Sequence, residues 1–239
     1  MSHRTLNLDE AANYLHIGRA AVEELVRTRD IPHQRQGDRL VFRKKEIDEW
    51  ASQRILGLKG KPLEAYHKGT SAKVHDLSKQ HAIMPELIKP AYIEPALTSK
   101  TRSSVIRDMV KIADQTGLVC NAKELQESIE GRERLCPTAL AGGIALLHPK
   151  SQEPYMFEDS FIVLGRAIQP VPFGSPDGAT TDLFFLVCCQ DDRIHLHVLA
   201  RLCMLCHHTS VLLELRDAPD AAAIYDALVA AENEVIQTL

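Results

Sequence analysis

Residues 131–150, GRERLCPTALAGGIALLHPK, hold the pattern that decides the fold of the larger part of the chain. Two glycines precede the apolar run at 144–147 and a proline follows shortly after it, which predicts a short buried strand. His148 stands where this strand ends, and Arg132 and Thr138 precede it in the same stretch. A histidine fixed at a strand end near an arginine and a threonine is suited to hold or pass on a phosphoryl group.

Strands and helices alternate on both sides of this stretch. Apolar runs at 160–167 and 183–189 predict two further strands. Apolar residues at helical spacing predict helices after Ser99, after Asn121, over 194–206 and over 220–232, and the helix over 194–206 is predicted to be amphipathic. The alternation predicts an α/β fold, layered in the α+β manner, for a domain over residues 81–239.

The first fifty residues follow a different pattern. Asn7 and Glu10 form a helix-start pair of the capping-box type, and apolar residues then recur at helical spacing over 8–15 and 19–29. Residues 34–43 predict a strand pair around a Gly-Asp turn, and a third helix is predicted over 44–50. This order predicts a small N-terminal winged helix-turn-helix domain over residues 1–54.

Residues 55–80 are predicted to be a linker between the two domains. The segment contains three glycines, a proline and several lysines, and its apolar residues follow no sustained period. His67, His75 and the nearby His81 have no partners at metal-ligand spacing. We therefore interpret them as surface histidines.

Composition and charge limit the class of protein. The 239 residues are 45% hydrophobic and 25% charged, which excludes overall disorder. No run of about eighteen apolar residues occurs, and the N-terminus lacks an apolar secretory core, so we expect a cytoplasmic protein with no membrane insertion and with reduced cysteines.

Residues 1–75 carry 14 Lys+Arg and 10 Asp+Glu, whereas residues 76–239 carry 14 and 22. A basic first third suggests nucleic acid as its partner.

A cluster of cysteines and histidines between 188 and 208 offers a competing interpretation. Its members are Cys188, Cys189, His195, His197, Cys203, Cys206, His207 and His208. Structural zinc requires four such ligands converging in a tetrahedron, and no second C-x-x-C completes the pattern. We therefore predict no metal and no cofactor, and we interpret the cysteines as small core residues.

The N-terminal stretches LNLDEAANYLHIGRAAVEELV and IPHQRQGDRLVFRKKEIDEW resemble the excisionase/MerR-type winged helix-turn-helix domains. The resemblance implies that the second helix enters the major groove of double-stranded DNA and that the wing contacts the backbone or the minor groove. The DNA-binding residues would be Arg19, Arg27, Arg35, Arg39 and Arg43. Glu23 and Glu24 on the same helix oppose this role, since carboxylates repel phosphates.

The stretches ELIKPAYI, GRERLCPTALAGGIALLHPK, DLFFLVCCQDDRIHLHVLARL and DAPDAAAIYDAL resemble the fructose/mannitol/nitrogen-type enzyme IIA domain of the phosphoenolpyruvate-dependent sugar phosphotransferase system. The resemblance implies that His148 is the phospho-accepting histidine, with His195 as the second active-site histidine. Arg132 and Thr138 match the family's arginine and threonine. The sequence departs from the family where Leu147 replaces a proline before the histidine and a proline follows it instead.

Together these resemblances imply a regulator that accepts a phosphoryl group on His148 from a histidine phosphocarrier protein and thereby modulates DNA binding. It would be a phosphoryl-transfer intermediate rather than a multi-turnover enzyme. Two alternatives stay open: a transcriptional regulator whose degenerate IIA domain only senses partners, and a phosphocarrier whose N-terminal domain makes protein contacts. A homodimer also stays open.

Overall fold

A computed structural model describes residues 5–71, 82–153 and 155–237. The N-terminal part contains β1 (Thr5–Leu6), α1 (Leu8–Tyr14), α2 (Arg19–Arg27), β2 (Gln34–Gln36), β3 (Arg39–Arg43) and α3 (Lys44–Gly57). The three strands form an antiparallel sheet in the order β1-β3-β2. A helix-turn-helix with a β-wing is therefore confirmed in this part of the chain.

Local signals explain the start of this domain. The Asn7 side chain accepts a hydrogen bond from the Glu10 backbone at 2.9 Å, and the Glu10 carboxylate accepts one from the Asn7 backbone at 2.8 Å, so the predicted capping box is present. Helix α3 continues to Gly57 instead of ending near residue 50. The extension follows from Ala51 and Ile55, which continue the buried face of the helix.

The predicted linker is wrong for residues 60–71. They form helix α4 (Gly60–Ser71), which packs along the C-terminal half of the chain. Leu63, His67 and Thr70 are fully buried on one side of α4, so His67 is not a surface histidine. Residues 72–80 of the predicted linker, with His75, lie outside the described residues, as does His81.

The C-terminal part begins with α5 (Met84–Leu87), a 3-10 turn at Pro90–Tyr92 and β4 (Ile93–Leu97). It continues with α6 (Arg102–Gln115), α7 (Ala122–Leu135), β5 (Ala139–Leu140), β6 (Ile144–Leu147), β7 (Phe161–Val171), β8 (Thr181–Cys188), α8 (Asp192–His208), α9 (Val211–Asp217) and α10 (Ala221–Gln237). Thr101, rather than Ser99, caps α6. The predicted mixed α/β architecture is confirmed.

The C-terminal sheet is mixed and has the order β4-β7-β8-β6-β5. Strand β6 is parallel to β8, while β7 and β8 run antiparallel. Successive side chains of β6 enter opposite cores: Ala145 and Leu147 join the core with α6 and α7, whereas Ile144 and Leu146 join the core that contains α8 and α10. Strand β6 thereby carries the next residue, His148, to the end of a doubly covered sheet.

Helix α8 is buried on nearly all sides and is not the amphipathic helix that the sequence predicts. Residues 195–205 are all buried, because β8 lies on one side of the helix and α3 and α4 cover the other. A helix with apolar residues all round is typical of such an interior position. No single helix among the described residues is long and apolar enough to cross a membrane, although α8 and α9, which meet at 84°, pass that test as a bent pair.

Candidate functional site

The His148 side chain is fixed by one contact at each ring nitrogen. Nδ1 lies 2.9 Å from the Leu146 carbonyl oxygen, and Nε2 lies 3.1 Å from Nε of Arg132. A carbonyl can only accept and a guanidinium can only donate. Nδ1 therefore carries the hydrogen, and Nε2 presents its lone pair to Arg132.

Arg132 lies in the last turn of α7 and is 1% exposed. Its Nη1 donates to the Cys136 carbonyl at 2.7 Å, and its Nε donates to His148. Its Nη2 is buried without a hydrogen-bond partner in the described part of the chain. Since an unsatisfied buried donor is unfavourable, this free N–H group suits an acceptor that arrives at the edge formed by Nε and Nη2.

His195 faces His148 from the first turn of α8. Asp191 caps this helix, because its carboxylate accepts from the backbone of Arg193 at 2.8 Å and of Ile194 at 2.9 Å. The two imidazole rings lie 4.8 Å apart between centroids. Arg132, 16 positions before His148, and His195, 47 positions after it, are thus brought together around one ring.

Both histidines are held neutral. Burial first, and then the neighbouring His195 and Arg132, lower the pKa of His148 well below its ordinary value of 6.5. Burial and then Arg132 lower the pKa of His195 to about 3. An unprotonated imidazole is the form that acts as a nucleophile.

Thr138 contacts Glu133 rather than the ring of His148. Its hydroxyl donates to the carboxylate of Glu133, and its backbone N–H donates to the same oxygen at 3.1 Å. The ring of His148 is oriented by Leu146 instead. Burial raises the pKa of Glu133 while the two bonds from Thr138 lower it. Glu133 therefore fixes the loop between α7 and β5, and sequence reasoning did not select it as a site residue.

The departures at positions 147 and 149 are accommodated in the strand. Leu147 is fully buried and pairs with Leu186 of β8 as the last residue of β6. The chain turns after His148, and the Lys150 backbone donates to Ser128 Oγ of α7 at 2.9 Å. Leucine therefore serves as a core residue here and leaves the His148 ring directed at Arg132.

Ser52 is a second residue that sequence reasoning missed. It lies on α3 of the N-terminal domain, and its Oγ is 3.3 Å from Nε2 of His195. The side chain is buried, as are both histidines. No pattern in the sequence could have placed residue 52 beside residue 195, because the contact depends on how the two domains pack.

The downstream cysteines lie in the core. Cys188, Cys189 and Cys203 are fully buried, and all six cysteines are free thiols. Burial raises the pKa of each of these three thiols. Within the described ranges, no three or more His, Cys, Asp or Glu side chains converge as metal ligands.

The five predicted DNA-binding arginines are all exposed on α2 and on the wing. Arg19 pairs with Asp9 at 2.7 Å and with Glu23 at 3.0 Å, and Arg27 pairs with Glu24 at 2.6 Å. Arg43 pairs with Glu46 at 3.2 Å. A cleft of ≈ 600 Å³ separates α2 from the wing, and it is lined by Glu23, Val26, Arg27, Arg29, His33, Arg35 and Leu40. The acidic partners thus neutralise part of this basic surface.

The fold and the paired histidines define the class of this chain, a IIA-type domain joined to a helix-turn-helix domain, and comparison with known families agrees. The model of the "Phosphoenolpyruvate-dependent sugar phosphotransferase system, EIIA 2" family matches residues 86–231, and a "Helix-turn-helix domain" model matches residues 5–55. The first match covers more than half of the chain, so the protein belongs to the EIIA 2 family of the phosphoenolpyruvate-dependent sugar phosphotransferase system.

Two curated relatives align with the C-terminal part. A nitrogen regulatory protein of Bradyrhizobium diazoefficiens is 32% identical over 146 residues, which are 60% of this chain and 92% of the relative. The fructose-specific EIIABC component of Bacillus subtilis is 28% identical over 145 residues, which span 60% of this chain and only 22% of that protein.

Solved structures share the fold. The nitrogen regulatory protein IIA-Ntr from Neisseria meningitidis superposes with a TM-score of 0.56 at 19% identity, over 62% of this chain and 99% of that one. The mannitol IIA of Escherichia coli gives 0.53 at 20% identity, over 59% and 98%. At this level of identity the likeness establishes the fold alone.

Proposed function

We propose that the protein is a cytoplasmic regulator in which His148 accepts a phosphoryl group on Nε2 from a histidine phosphocarrier protein, and in which this modification modulates binding of double-stranded DNA by the N-terminal domain. Phosphoryl acceptance is supported by the unprotonated Nε2 of His148, which lies beside the guanidinium of Arg132. The Nη2 group of that guanidinium is buried and has no hydrogen-bond partner in the described part of the chain. The helix-turn-helix fold and its exposed arginines support the second part.

The transfer balances without a proton transfer. The lone pair of His148 Nε2 forms the new P–N bond while the P–N bond of the donor phosphohistidine breaks, and its electron pair returns to the donor imidazole. Nδ1 keeps its hydrogen and continues to donate it to the Leu146 carbonyl. This hydrogen bond stabilises the positive charge that the ring acquires. A neutral His148 is ready for this attack at neutral pH.

Arg132 and His195 supply the electrostatic stabilisation. When the phosphoryl group arrives, Arg132 Nε exchanges its contact with the ring for a phosphoryl oxygen, and Nη2 binds a second oxygen in the bidentate manner that a guanidinium favours. The neutral His195 ring, 4.8 Å away, carries one N–H group that can donate to a further oxygen. Such preorganised donors act where charge develops during transfer.

The experiment is incubation with labelled phosphoenolpyruvate and the purified general phosphotransferase components. We expect base-stable, acid-labile label on the wild type and none on His148→Ala. His208→Ala is the matched control, because His208 lies on the same helix as His195 but about 20 Å along its axis, and it should be labelled like the wild type. Equal absence of label in all three chains would reject phosphoryl acceptance.

A gel shift with a duplex probe tests the DNA part. We expect binding that weakens steeply with salt and is lost in Arg39→Ala/Arg43→Ala, since exposed arginines act through phosphate contacts. The pairs at Arg19 and Arg27 do not prevent such contacts, because exposed ion pairs are weak. Label without any DNA binding would favour a phosphocarrier with a protein-binding N-terminal domain.

The degenerate sensor is the second candidate, and the burial of His148 favours it, because only 2% of this residue is exposed. A sensor of this kind would bind DNA but remain unlabelled. The two assays therefore separate the three alternatives.

A further inference from the structure

The face of the IIA domain that holds the two histidines is covered by the chain's own N-terminal domain. Helix α3 packs along α8, and Ser52 Oγ of α3 contacts His195 Nε2 at 3.3 Å. His148, His195 and Ser52 are all buried. A phosphoryl donor must reach His148 Nε2, so it needs the surface on which α3 lies.

Charged contacts hold α3 on both sides of the histidines. Lys44 contacts Asp48 of its own helix at 3.2 Å and reaches across to Asp192, and Glu49 pairs with Lys150 at 3.3 Å. Asp192 lies three residues before His195, and Lys150 lies two residues after His148. The two segments that present the histidines are therefore also the segments that bind α3.

The space between the domains is too small for a phosphoryl group. The crevice beside His195 has a volume of ≈ 10 Å³ and is lined by Tyr14, Asp48, Ser52, Pro149, Lys150, Ser151, Gln152, Asp192, His195 and Leu196. That volume holds about one water molecule. The closed arrangement of the domains therefore belongs to the unmodified protein.

The negative charge of a phosphoryl group on His148 would also weaken the packing of α3 on this face. A phosphoryl group adds a charge of about −1.5 to −2, and three carboxylates lie around the site, those of Asp48, Glu49 and Asp192. Phosphate placed next to Asp or Glu disrupts a contact by repulsion.

The N-terminal domain has a short hinge. Helix α3 ends at Gly57 and α4 begins at Gly60, which has φ +54°, a conformation that favours glycine. Helix α4 is fixed to α8 separately, because Arg201 Nε donates to His67 at 2.6 Å and His197 contacts Thr70 at 3.2 Å. Helix α4 therefore has contacts to α8 that do not depend on α3.

We propose that helix α3 and the phosphoryl donor compete for this face, and that phosphorylation of His148 releases the N-terminal domain from it. This inference rests on the proposed phosphoryl acceptance by His148. The arginines of α2 and the wing are exposed in the docked form, so release changes the orientation and freedom of the DNA-binding domain rather than uncovering it. By linkage, whatever holds the domain away from this face also favours the phosphorylated form of His148.

The test reverses one charge of the interface. Glu49→Lys places a second positive charge opposite Lys150 and thereby weakens the docking of α3. We therefore expect phosphoenolpyruvate and the general components to label this variant about five-fold faster than the wild type. Such a factor corresponds to the free energy of one surface charge pair. Glu49→Lys/Lys150→Glu should return the rate toward that of the wild type. Glu46→Lys is the matched control, because it makes the same charge change on α3 at a residue that faces Arg43 of the wing.

Hydrogen exchange reports the movement directly. After phosphorylation of the full-length wild type, amides of 44–57 should exchange faster while those of 60–71 keep their protection; the same regions of unmodified Glu49→Lys check that this variant folds. If the wild type and all variants are labelled at the same rate, and the amides of 44–57 stay protected after labelling, then α3 and the phosphoryl donor do not compete. Phosphoryl acceptance by His148 would still stand in that case. If no chain is labelled, even by phosphoramidate, which is small and needs no docking surface, then phosphoryl acceptance itself fails and the competition falls with it.

Discussion

Lowering the pH from 7.5 to 5.5 is expected to destabilise the protein through buried neutral histidines. Burial is the first cause of the lowered pKa values of His67, His195 and His197, which are each about 3, compared with 6.5 in an unfolded chain. His67 and His197 stack at 5.8 Å and both lie beside Arg201, so protonation of either ring would add a like charge to a buried guanidinium.

The free energy of unfolding falls with falling pH because the unfolded chain takes up more protons than the folded chain. The unfolded chain binds a proton at each ring near pH 6.5 and the folded chain only near pH 3, so this stabilisation is complete above 6.5 and is lost as the pH falls toward 3. At pH 5.5 each ring costs about 1.4 kcal/mol, and the three together about 4 kcal/mol. Asp48 acts in the opposite direction, because burial and Asp192 raise its pKa to about 6, and it offsets roughly 1 kcal/mol of this loss. The expected loss from these four groups, about 3 kcal/mol, is a large fraction of ordinary stability.

Urea unfolding of the full chain at the two pH values measures this loss. The matched variant is His67→Gln/His197→Asn, in which the new amides can still accept from Arg201 Nε and donate to Thr70 Oγ1 but cannot titrate. Its free energy of unfolding should change between pH 7.5 and 5.5 by about 3 kcal/mol less than that of the wild type. Equal changes in the two proteins would refute the reasoning that these rings are buried and neutral.

Two further substitutions test the site and the core. Arg132→Lys keeps the charge but removes the Nε/Nη2 edge, so the rate of His148 labelling should fall at least about ten-fold; an unchanged rate would show that the planar edge is dispensable. Gly165→Ala should cost about 1–3 kcal/mol in urea unfolding, because the added Cβ would overlap Leu97 and lie 2.7 Å from Met109 Sδ. Gly57→Ala, where nothing lies within 4 Å of the added Cβ, is its control and should be close to neutral, and equal effects of the two would contradict the packing argument.

Local patterns predicted most of the elements because their causes are local. The capping residues Asn7 and Asn121 begin helices where the sequence places them, since the side chain and the N–H group that it accepts from are three residues apart. The same holds for β6, whose apolar run fits a fully buried strand. Such features could be read from the sequence without knowledge of the tertiary structure.

Helix α4 was missed although its spacing is helical. Leu63, Tyr66, His67 and Thr70 recur at i, i+3, i+4 and i+7, but three of these four side chains carry polar atoms, and the glycines and lysines around them are typical of a linker. Their burial depends on Arg201 and on α8, more than 130 residues away. The polar face of α4 becomes an interior face only once that partner is present.

The candidate site also combines residues that can be recognised from the sequence with contacts that depend on the tertiary structure. His148, Arg132 and His195 are recognisable because the family's spacing marks them, whereas Ser52 and the docking of α3 depend on contacts between domains. The tautomer of His148 also follows only from the positions of the Leu146 carbonyl and of Arg132. The resemblance therefore selected the proposed phosphoryl acceptor, and the structure shows which side chains surround it.

One helix connects the two polar clusters of the molecule. His195 and His197 are two residues apart on α8, which places them about 200° apart around the helix axis, so His195 faces His148 and Ser52 while His197 faces α4. Arg201, one turn further on, binds His67 of α4 and Glu232 of α10, whose carboxylate also accepts from the backbone of Ile83 and Met84. His67 and Thr70 of α4 hydrogen-bond to Arg201 and His197 of this cluster, so α4 has contacts to α8 that do not pass through α3. The division between a movable α3 and a fixed α4 thus follows from the residues that α8 turns toward each of them.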